Sequence, residues 1–180
     1  STGVRVSELC FGTMSFGGDA DEKTSSALFN RCREAGINFF DCANVYSGGR
    51  AEEILGKLIA GSRDELIITT KGFGQMGKDI NAKGASRRNL RQAVEASLKR
   101  LNTDYIDVYF LHQFDNDVPL EQSLRALDDL GEVFLAKRES GQWNYYSREQ
   151  LEIPRGEIPP EDRSTRGPAA GVSSSCCSRG

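Results

Sequence analysis

Apolar and polar positions alternate in blocks along the first 130 residues, and these blocks predict strands and helices in turn. Short apolar runs predict strands over residues 9–13, 37–41, 66–71 and 106–112. Apolar residues three and four positions apart predict helices over 24–35, 51–60, 87–101 and 120–130. Alternating strands and helices build a parallel sheet whose active site gathers at the carboxyl ends of the strands. The pattern therefore predicts an α/β fold of four strand–helix units, which is half of an eight-stranded barrel.

Residues with known preferences for helix ends support this division. Ser86 is predicted to cap the clearest helix, and Gly36 and Gly61 are predicted to end the first two helices. The first helix is expected to turn Leu28 and Cys32 toward the core. A longer loop over residues 72–85 separates the third strand from its helix, and loops at this edge commonly contact substrates.

The pattern changes after residue 130. Residues 131–136 could form a fifth strand, but the charged run over 137–140 interrupts it. Four of the five prolines lie from residue 154 onward, among Ser, Gly and Arg, with only isolated apolar residues. Such a segment buries too little surface to offset its ordering entropy. We therefore predict a half-barrel over residues 1–130, a degenerate fifth unit over 131–151, and a disordered tail over 152–180.

Four polar side chains lie at or just beyond the predicted strand ends, namely Asp41, Tyr46, Lys71 and the single histidine, His112. A tyrosine hydroxyl is a weak acid, and a nearby lysine ammonium favours its ionised form and so eases proton release. A carboxylate keeps the lysine charged and oriented, while a histidine can donate a hydrogen bond to a carbonyl oxygen. This set suits proton transfer during carbonyl reduction or alcohol oxidation, with hydride from a nicotinamide cofactor.

Each of these residues also has an ordinary structural explanation when it is taken alone. An Asp or His at a strand end is often a turn residue, and a single Tyr or Lys is usually on the surface. Their joint placement on successive strand ends favours a site. The glycines at 48–49 and 72–77 do not form the phosphate-binding G-x-G-x-x-G pattern between a strand and a helix.

Composition excludes several classes of partner. The formal net charge is −3 and the isoelectric point is about 5.3, so neither nucleic acid nor an anionic membrane is expected as a partner. No run of eighteen apolar residues and no secretory signal is present in the sequence, whose first residue is not Met. The cysteines at positions 10, 32, 42, 176 and 177 fit no zinc pattern. We expect no metal site, and we expect buried, reduced thiols in a cytoplasmic protein, with the first three in the core.

At these residues the sequence resembles the aldo-keto reductases, over about residues 3–130. The motifs that carry the resemblance are TGVRVSELCFGTM (2–14), NFFDCANVY (38–46), AEEILG (51–56), ITTK (68–71), SLKRL (97–101) and DYIDVYFLH (104–112). Their style is similar to the bacterial general reductases and the potassium-channel β-subunits. The resemblance implies a (β/α)8 TIM barrel that uses NADPH to reduce small aldehydes or ketones.

The resemblance also implies roles for particular residues. Tyr46 would be the acid and base, Lys71 and Asp41 would tune it, and His112 would orient the substrate. The cofactor-binding residues implied in this sequence are Gly12, Thr13, Met14, Asp41 and Asn144. Asn144 lies in a segment similar to the family's amide-binding strand end, with Trp143 in place of the usual Ser.

The family's last four strand–helix units have no counterpart in this sequence, which leaves three functions open. The first is an NADPH-dependent carbonyl reductase, and weak cofactor binding is expected because the phosphate-binding units are absent. The second is a catalytically inactive half-barrel that acts through protein contacts, including self-association through its open sheet edges. The third, an unrelated barrel lyase or isomerase using the same Lys and His, explains fewer residues.

Overall fold

Four parallel strands and four helices make up the main body of the protein. The computed structural model describes residues 3–130 in full and the backbone of residues 134–139 and 142–147. No helix within the described residues is long and apolar enough to cross a membrane. The prediction of four strand–helix units in part of a barrel is confirmed. Their bounds are β1 (Phe11–Gly12), α1 (Glu22–Glu34), β2 (Phe39–Asp41), α2 (Arg50–Ile59), β3 (Ile67–Gly72), α3 (Arg87–Leu101), β4 (Val108–Leu111) and α4 (Leu120–Asp128).

The strands follow chain order, β1-β2-β3-β4, and every neighbouring pair is parallel. The register pairs Gly12 with Asp41 and Asp41 with Thr69, and it pairs Lys71 with Phe110. The carboxyl ends of all four strands therefore meet at one edge of the sheet. Short crossovers through one helix each impose this arrangement, because parallel strands cannot be joined by tight hairpins.

The helices cover one face of the sheet, and two apolar clusters fill the space between. One cluster joins α1 and α2 to β2 and β3 around Phe40, Ile54 and Ile68. The other joins α3 and α4 to β4 around Leu90 and Leu124. Because Phe40 and Ile68 point toward the helices, their neighbours in β2 and β3 point to the other face, which would be the interior of a closed barrel.

The buried face of α1 differs from the predicted one. Ser25 and Phe29 are buried, whereas Leu28 is 38% exposed and Cys32 is only partly buried. The ring of Phe29 packs on that of Phe40, with 4.8 Å between the centroids. This large aromatic contact sets the rotation of the helix, and a pattern of small and medium apolar residues could not reveal it.

Side chains cap two of the helices. Ser86 Oγ accepts a hydrogen bond from the Asn89 amide at 3.2 Å, which confirms the predicted cap of α3. For α1 the cap is Asp21, whose carboxylate accepts from the Thr24 amide at 2.7 Å, so this helix begins two residues earlier than predicted. Asn102 ends α3 in the left-handed region, with φ of 51°.

The backbones of α2 and α3 come into direct contact at Gly56. A Cβ atom at this position would lie 2.6 Å from the carbonyl oxygens of both Arg100 and Leu101. No side chain fits in that space, so the glycine fixes the spacing of the two helices.

After α4 the backbone forms an antiparallel hairpin of β5 (Phe134–Glu139) and β6 (Gln142–Ser147), in a sheet of its own. The predicted fifth strand over 131–136 and the degenerate unit over 131–151 fall partly on this hairpin. The rest of that unit and the predicted disordered tail over 152–180 lie outside the described residues, so this division stays a prediction.

Candidate active site

Lys71 lies at the centre of a polar group on the carboxyl edge of the sheet. Its Nζ donates to Asp41 Oδ2 at 2.6 Å, to the Cys42 carbonyl oxygen at 2.7 Å, and to Tyr46 Oη at 3.2 Å. Only 15% of the side chain is exposed. Three acceptors match the three protons of an ammonium group, so the charge is held in one place.

Asp41 is fixed through both its side chain and its backbone. Its Oδ1 accepts from Thr69 Oγ1 at 2.6 Å. Its carbonyl oxygen accepts from the Thr13 amide at 2.9 Å and from Thr13 Oγ1 at 3.0 Å. The carboxylate is thus turned toward Lys71 by β3 on one side and by the end of β1 on the other.

Tyr46 reaches this group from a 3-10 turn, Tyr46–Gly49, that leads directly into α2. Three successive residues of the turn, Ser47, Gly48 and Gly49, have φ of 49°, 64° and 98°. Glycine has no Cβ and adopts positive φ readily, so Gly48 and Gly49 allow the backbone to make this tight left-handed turn. The turn places the centroid of the Tyr46 ring 4.9 Å from Lys71 Nζ.

His112 stands beside the tyrosine at the end of β4. Its ring centroid lies 6.0 Å from that of Tyr46, and the two rings are close to perpendicular at 82°. The backbone amide of His112 donates to the Gly72 carbonyl oxygen at 2.9 Å, which extends the pairing of β3 and β4 by one step. All four polar residues predicted from the strand ends therefore lie together.

The surroundings act in opposite directions on the two basic groups. Burial lowers the pKa of Lys71, but the hydrogen bond and charge of Asp41, with the contact to Tyr46, outweigh it and raise the pKa above its usual value. Burial lowers the pKa of His112, and the charge of Lys71 lowers it further, against a weaker effect of Asp41. At neutral pH the lysine is therefore charged and the imidazole is neutral.

The residues predicted near a nicotinamide lie along the end of β1. Thr13 is fully buried and holds Asp41, whereas Met14 is 69% exposed. A Cβ at Gly12 would meet nothing within 4 Å, so open space lies in front of this strand. The side chain of Asn144, predicted to bind the nicotinamide amide, lies outside the described residues; its backbone is in β6, opposite Lys137. Its role stays a prediction.

Sequence reasoning missed two features of this edge. Thr69 was treated only as part of a strand, although its hydroxyl is bonded to Asp41; the register of β2 and β3 is the signal that could have found it. Cys10 was expected in the core but is exposed. Although the residue is exposed, neighbouring protein atoms keep water from part of its thiol; this desolvation, with the charge of Asp41, raises the pKa of the thiol to about 11, against a smaller effect of Lys71. The thiol is therefore protonated at neutral pH.

Taken together, these contacts describe a proton-transfer group. A phenol hydroxyl touches a fixed ammonium, the ammonium is balanced by a carboxylate, and a neutral imidazole stands next to the phenol ring. An ammonium at hydrogen-bond distance stabilises the phenolate that remains when a tyrosine gives up its proton. The neutral imidazole can donate one hydrogen bond to an oxygen atom placed between it and Tyr46.

Comparison with known proteins gives a consistent result. The model of the aldo/keto reductase family matches residues 8–133. A probable voltage-gated potassium channel subunit beta of Oryza sativa subsp. japonica is 42% identical over 131 residues, covering 71% of this chain and 40% of that protein. Norsolorinic acid reductase stcV of Emericella nidulans is 41% identical over 143 residues, covering 71% and 37%.

Among solved structures, the holo form of the aldo-keto reductase AKR11C1 from Bacillus halodurans superposes with a TM-score of 0.63 at 37% identity. The superposition covers 71% of this chain and 43% of that one. This chain therefore spans less than half the length of the relatives that it matches.

Proposed function

The chain belongs to the aldo/keto reductase family, and from that premise we propose that its polar edge reduces the carbonyl group of a small aldehyde or ketone with NADPH. The reverse reaction, oxidation of an alcohol, uses the same groups. The observation that carries the proposal is the contact of Lys71 Nζ with both Tyr46 Oη and Asp41 Oδ2. Asp41 and the Cys42 carbonyl oxygen accept two hydrogen bonds from the Lys71 ammonium, and the Tyr46 hydroxyl accepts the third.

In the proposed reaction Tyr46 gives its proton to the carbonyl oxygen as that oxygen becomes an alcohol. The phenolate left behind lies 3.2 Å from the Lys71 ammonium, which offsets its charge. Asp41 keeps that ammonium charged and in place. His112, neutral at the working pH, donates a hydrogen bond that orients the carbonyl oxygen toward Tyr46.

The residues present fit the reacting end of a nicotinamide cofactor. A proton donor stands at the edge of the sheet, the space in front of Gly12 is open, and Met14 is exposed beside it. Gly12, Thr13, Met14 and Asp41 would line this end of the cofactor, with Asn144 proposed from the sequence. NADPH supplies the hydride when it is bound, which no side chain can do. Lys71 and Tyr46 manage only the proton.

We also propose that the protein is cytoplasmic and acts on small molecules, without nucleic-acid or membrane partners, and the acidic composition supports this. This location rests on the expectation of reduced thiols, of which Cys42 is fully buried.

The direct test is aldehyde-dependent oxidation of NADPH by the full chain and by Tyr46→Phe. We expect the substitution to lower turnover by about a hundredfold or more, because the proton donor alone is lost. The matched control is Tyr105→Phe, which removes an exposed hydroxyl bonded to Asp64 and should leave turnover unchanged. Full turnover in Tyr46→Phe would mean that another group supplies the proton.

A second proposed function is a non-catalytic half-barrel that pairs with another copy of itself. Within the described residues the parallel sheet ends at β1 on one side and β4 on the other. Phe39, Ile67 and Val108, on the face away from the helices, are only partly buried. Because β1 and β4 are opposite edges, a two-fold rotation along the strands could place β4 of one copy beside β1 of the next. Eight parallel strands would result, a number at which side chains fill a barrel.

Sedimentation across a range of protein concentrations tests this pairing. Val108→Lys places a charge on the inner face of an edge strand and should shift the protein toward monomer. Leu28→Lys, at an exposed position of α1, is the control and should leave the mass unchanged. A monomeric wild-type chain at all concentrations would exclude the pairing.

A further inference from the structure

A buried charged cluster lies behind the active-site edge, on the helix side of the sheet. Glu52 of α2 is fully buried, and both of its carboxylate oxygens are occupied. Its Oε1 accepts from Thr70 Oγ1 at 2.6 Å, and its Oε2 accepts from Arg100 Nε at 2.6 Å. A buried carboxylate is costly unless it is paired and hydrogen-bonded, and here both conditions are met.

This cluster connects the two elements that carry the proton-transfer pair. Thr70 immediately precedes Lys71 in β3, so the two side chains point to opposite faces of the sheet. Glu52 follows Tyr46 by six residues, across the 3-10 turn and into the first turn of α2. The hydrogen bond from Thr70 to Glu52 therefore ties the tyrosine's segment to the lysine's strand.

Arg100 supports the same turn from below. A Cβ at Gly49 would lie 2.9 Å from Arg100 Cδ, so the arginine stem packs directly under the last residue of the tyrosine's turn. Its guanidinium also bonds to Ser97 Oγ at 3.3 Å. The same charged group that neutralises Glu52 thus limits how far the turn can move.

The hydroxyl of Tyr109 also lies near Glu52 and Arg100, but it makes no hydrogen bond to Glu52. Tyr109 of β4 is near both charges, and burial, with the charge of Glu52, raises the pKa of its hydroxyl against a smaller effect of Arg100. Within the described part of the chain, that hydroxyl has no hydrogen-bond partner. The hydroxyl of Thr70 is therefore the link between Glu52 and the sheet.

We propose that Glu52 is a positioning residue, which with Thr70 and Arg100 sets the distance between the Tyr46 hydroxyl and the Lys71 ammonium from the opposite face of the sheet. The inference deepens the proposed function, since the Tyr46–Lys71 pair is the proton-transfer group there. A purely structural role for Glu52 would change stability alone. A positioning role changes the contact between tyrosine and lysine as well.

The test compares Glu52→Asp with Glu53→Asp in the full chain. Both variants keep the charge and shorten the side chain by one methylene, but Glu53 is exposed and pairs with Arg50. The readouts are the nuclear Overhauser contact between the Lys71 side chain and the Tyr46 ring, and the pKa of Lys71 followed by its ¹³Cε signal. Neither readout requires catalysis or cofactor.

We expect Glu52→Asp to lose most of the Lys71–Tyr46 contact and to lower the pKa of Lys71, because Tyr46, one of the partners that raise this pKa, moves away. Glu53→Asp should match the wild type in both. If Glu52→Asp melts earlier but keeps the contact and the pKa, Glu52 is only structural and the proposal is wrong.

A second pair of variants covers the case in which Glu52→Asp does not fold. Thr70→Val removes the hydroxyl with little change of shape and should reproduce both effects. Thr70→Ser keeps a hydroxyl, so it should keep the Lys71–Tyr46 contact and the pKa of Lys71 as in the wild type. Equal behaviour of Val and Ser at position 70 would overturn the proposal. Retained turnover in Tyr46→Phe would overturn the proposed function and leave these geometric results standing.

Discussion

Two ion pairs at opposite ends of the same sheet have similar burial and different designs. At the amino end, Arg63 and Asp107 side chains are 11% and 19% exposed; at the carboxyl end, Lys71 and Asp41 are 15% and 28% exposed. Arg63 donates to Asp107 Oδ2 at 2.7 Å, to the carbonyl oxygens of Leu66 and Tyr105, and to Thr103 Oγ1. It also stacks 3.7 Å from the centre of the Tyr105 ring.

At the amino end the contacts of Arg63 and Asp107 join strand ends to the loops beside them. The planar guanidinium spreads its donors over the ends of β3 and β4, and Asp107 also accepts from the Ile68 amide at 2.8 Å. At the carboxyl end the lysine is a point charge, and one of its partners is a phenol that can itself release a proton. Arg63 thus joins the strand ends, whereas Lys71 keeps one of its contacts for a group that can take part in proton transfer, the Tyr46 hydroxyl. This division follows the separation of stability and catalysis between the two faces of such barrels.

The largest expected effect is loss of stability at the amino end. Asp107→Ala removes the partner of a mostly buried guanidinium and leaves the Ile68 amide without its acceptor, so we expect unfolding to become easier by about 3 kcal/mol. Urea denaturation measures this change. A loss below about 1 kcal/mol would be typical of a surface pair and would remove the contrast between the two ends.

Cofactor affinity tests the carboxyl end. We expect the full chain to bind NADPH about a hundredfold or more weakly than a complete barrel of the family, a difference of about 2.7 kcal/mol. At this edge Arg87 and Arg88, which begin α3, are already paired with Asp129 and Asp79, so a phosphate group must compete for them. Fluorescence titration measures the affinity, and micromolar binding by the monomer would contradict the expectation.

Replacing each pair by apolar residues sharpens the comparison. We expect Asp41→Leu with Lys71→Met to cost about 1–2 kcal/mol, because both charges leave together but the Thr69 hydroxyl and the Cys42 carbonyl lose their partners. The matched change, Asp107→Leu with Arg63→Met, should cost clearly more, since the Leu66 and Tyr105 carbonyls and the Ile68 amide lose their partners. Thermal unfolding of the two double variants makes the comparison. Equal losses would mean that both ends serve stability alike.

The smallest expected effect is a pH dependence from His112. Because its pKa is depressed in the folded state, the unfolded chain binds the extra proton first as pH falls below about 6.5. Stability should therefore decline from pH 6.5 downward until the folded state also takes up the proton. His112→Gln should flatten this part of the profile, as measured by denaturation between pH 7 and 5. An unchanged slope in the variant would assign the decline to other groups.

The sequence predicted elements and strand ends well because each has a local signal. Hydrophobic spacing marks the helices, and the polar residue after each apolar run marks the carboxyl end of the strand, where Lys71 and His112 lie. The contacts that hold the site are not local. The bond of Thr69 to Asp41 depends on the register between strands, and the cluster of Glu52 depends on helix α2 lying over β3.

The burial errors have the same origin. Phe29 replaced Leu28 on the inner face of α1 because an aromatic partner stood opposite it on β2. Cys10 was assigned to the core from its apolar neighbours, but it lies just before β1, which is only two residues long, and it is exposed. Alternation within so short a strand carries too little information to separate the two faces.

The glycine at the contact of α2 and α3, Gly56, also limits which substitutions evolution can tolerate in this sequence. At most helical positions, exchange of glycine for alanine is tolerated or favourable. At Gly56 even one methyl group would collide with two backbone oxygens, which cannot swing aside as a side chain can. Glu52 lies one helical turn earlier and reaches Arg100, whose carbonyl is one of those oxygens. Gly56→Ala would therefore displace Arg100 and disturb its contact with Glu52. We expect natural selection to remove this substitution.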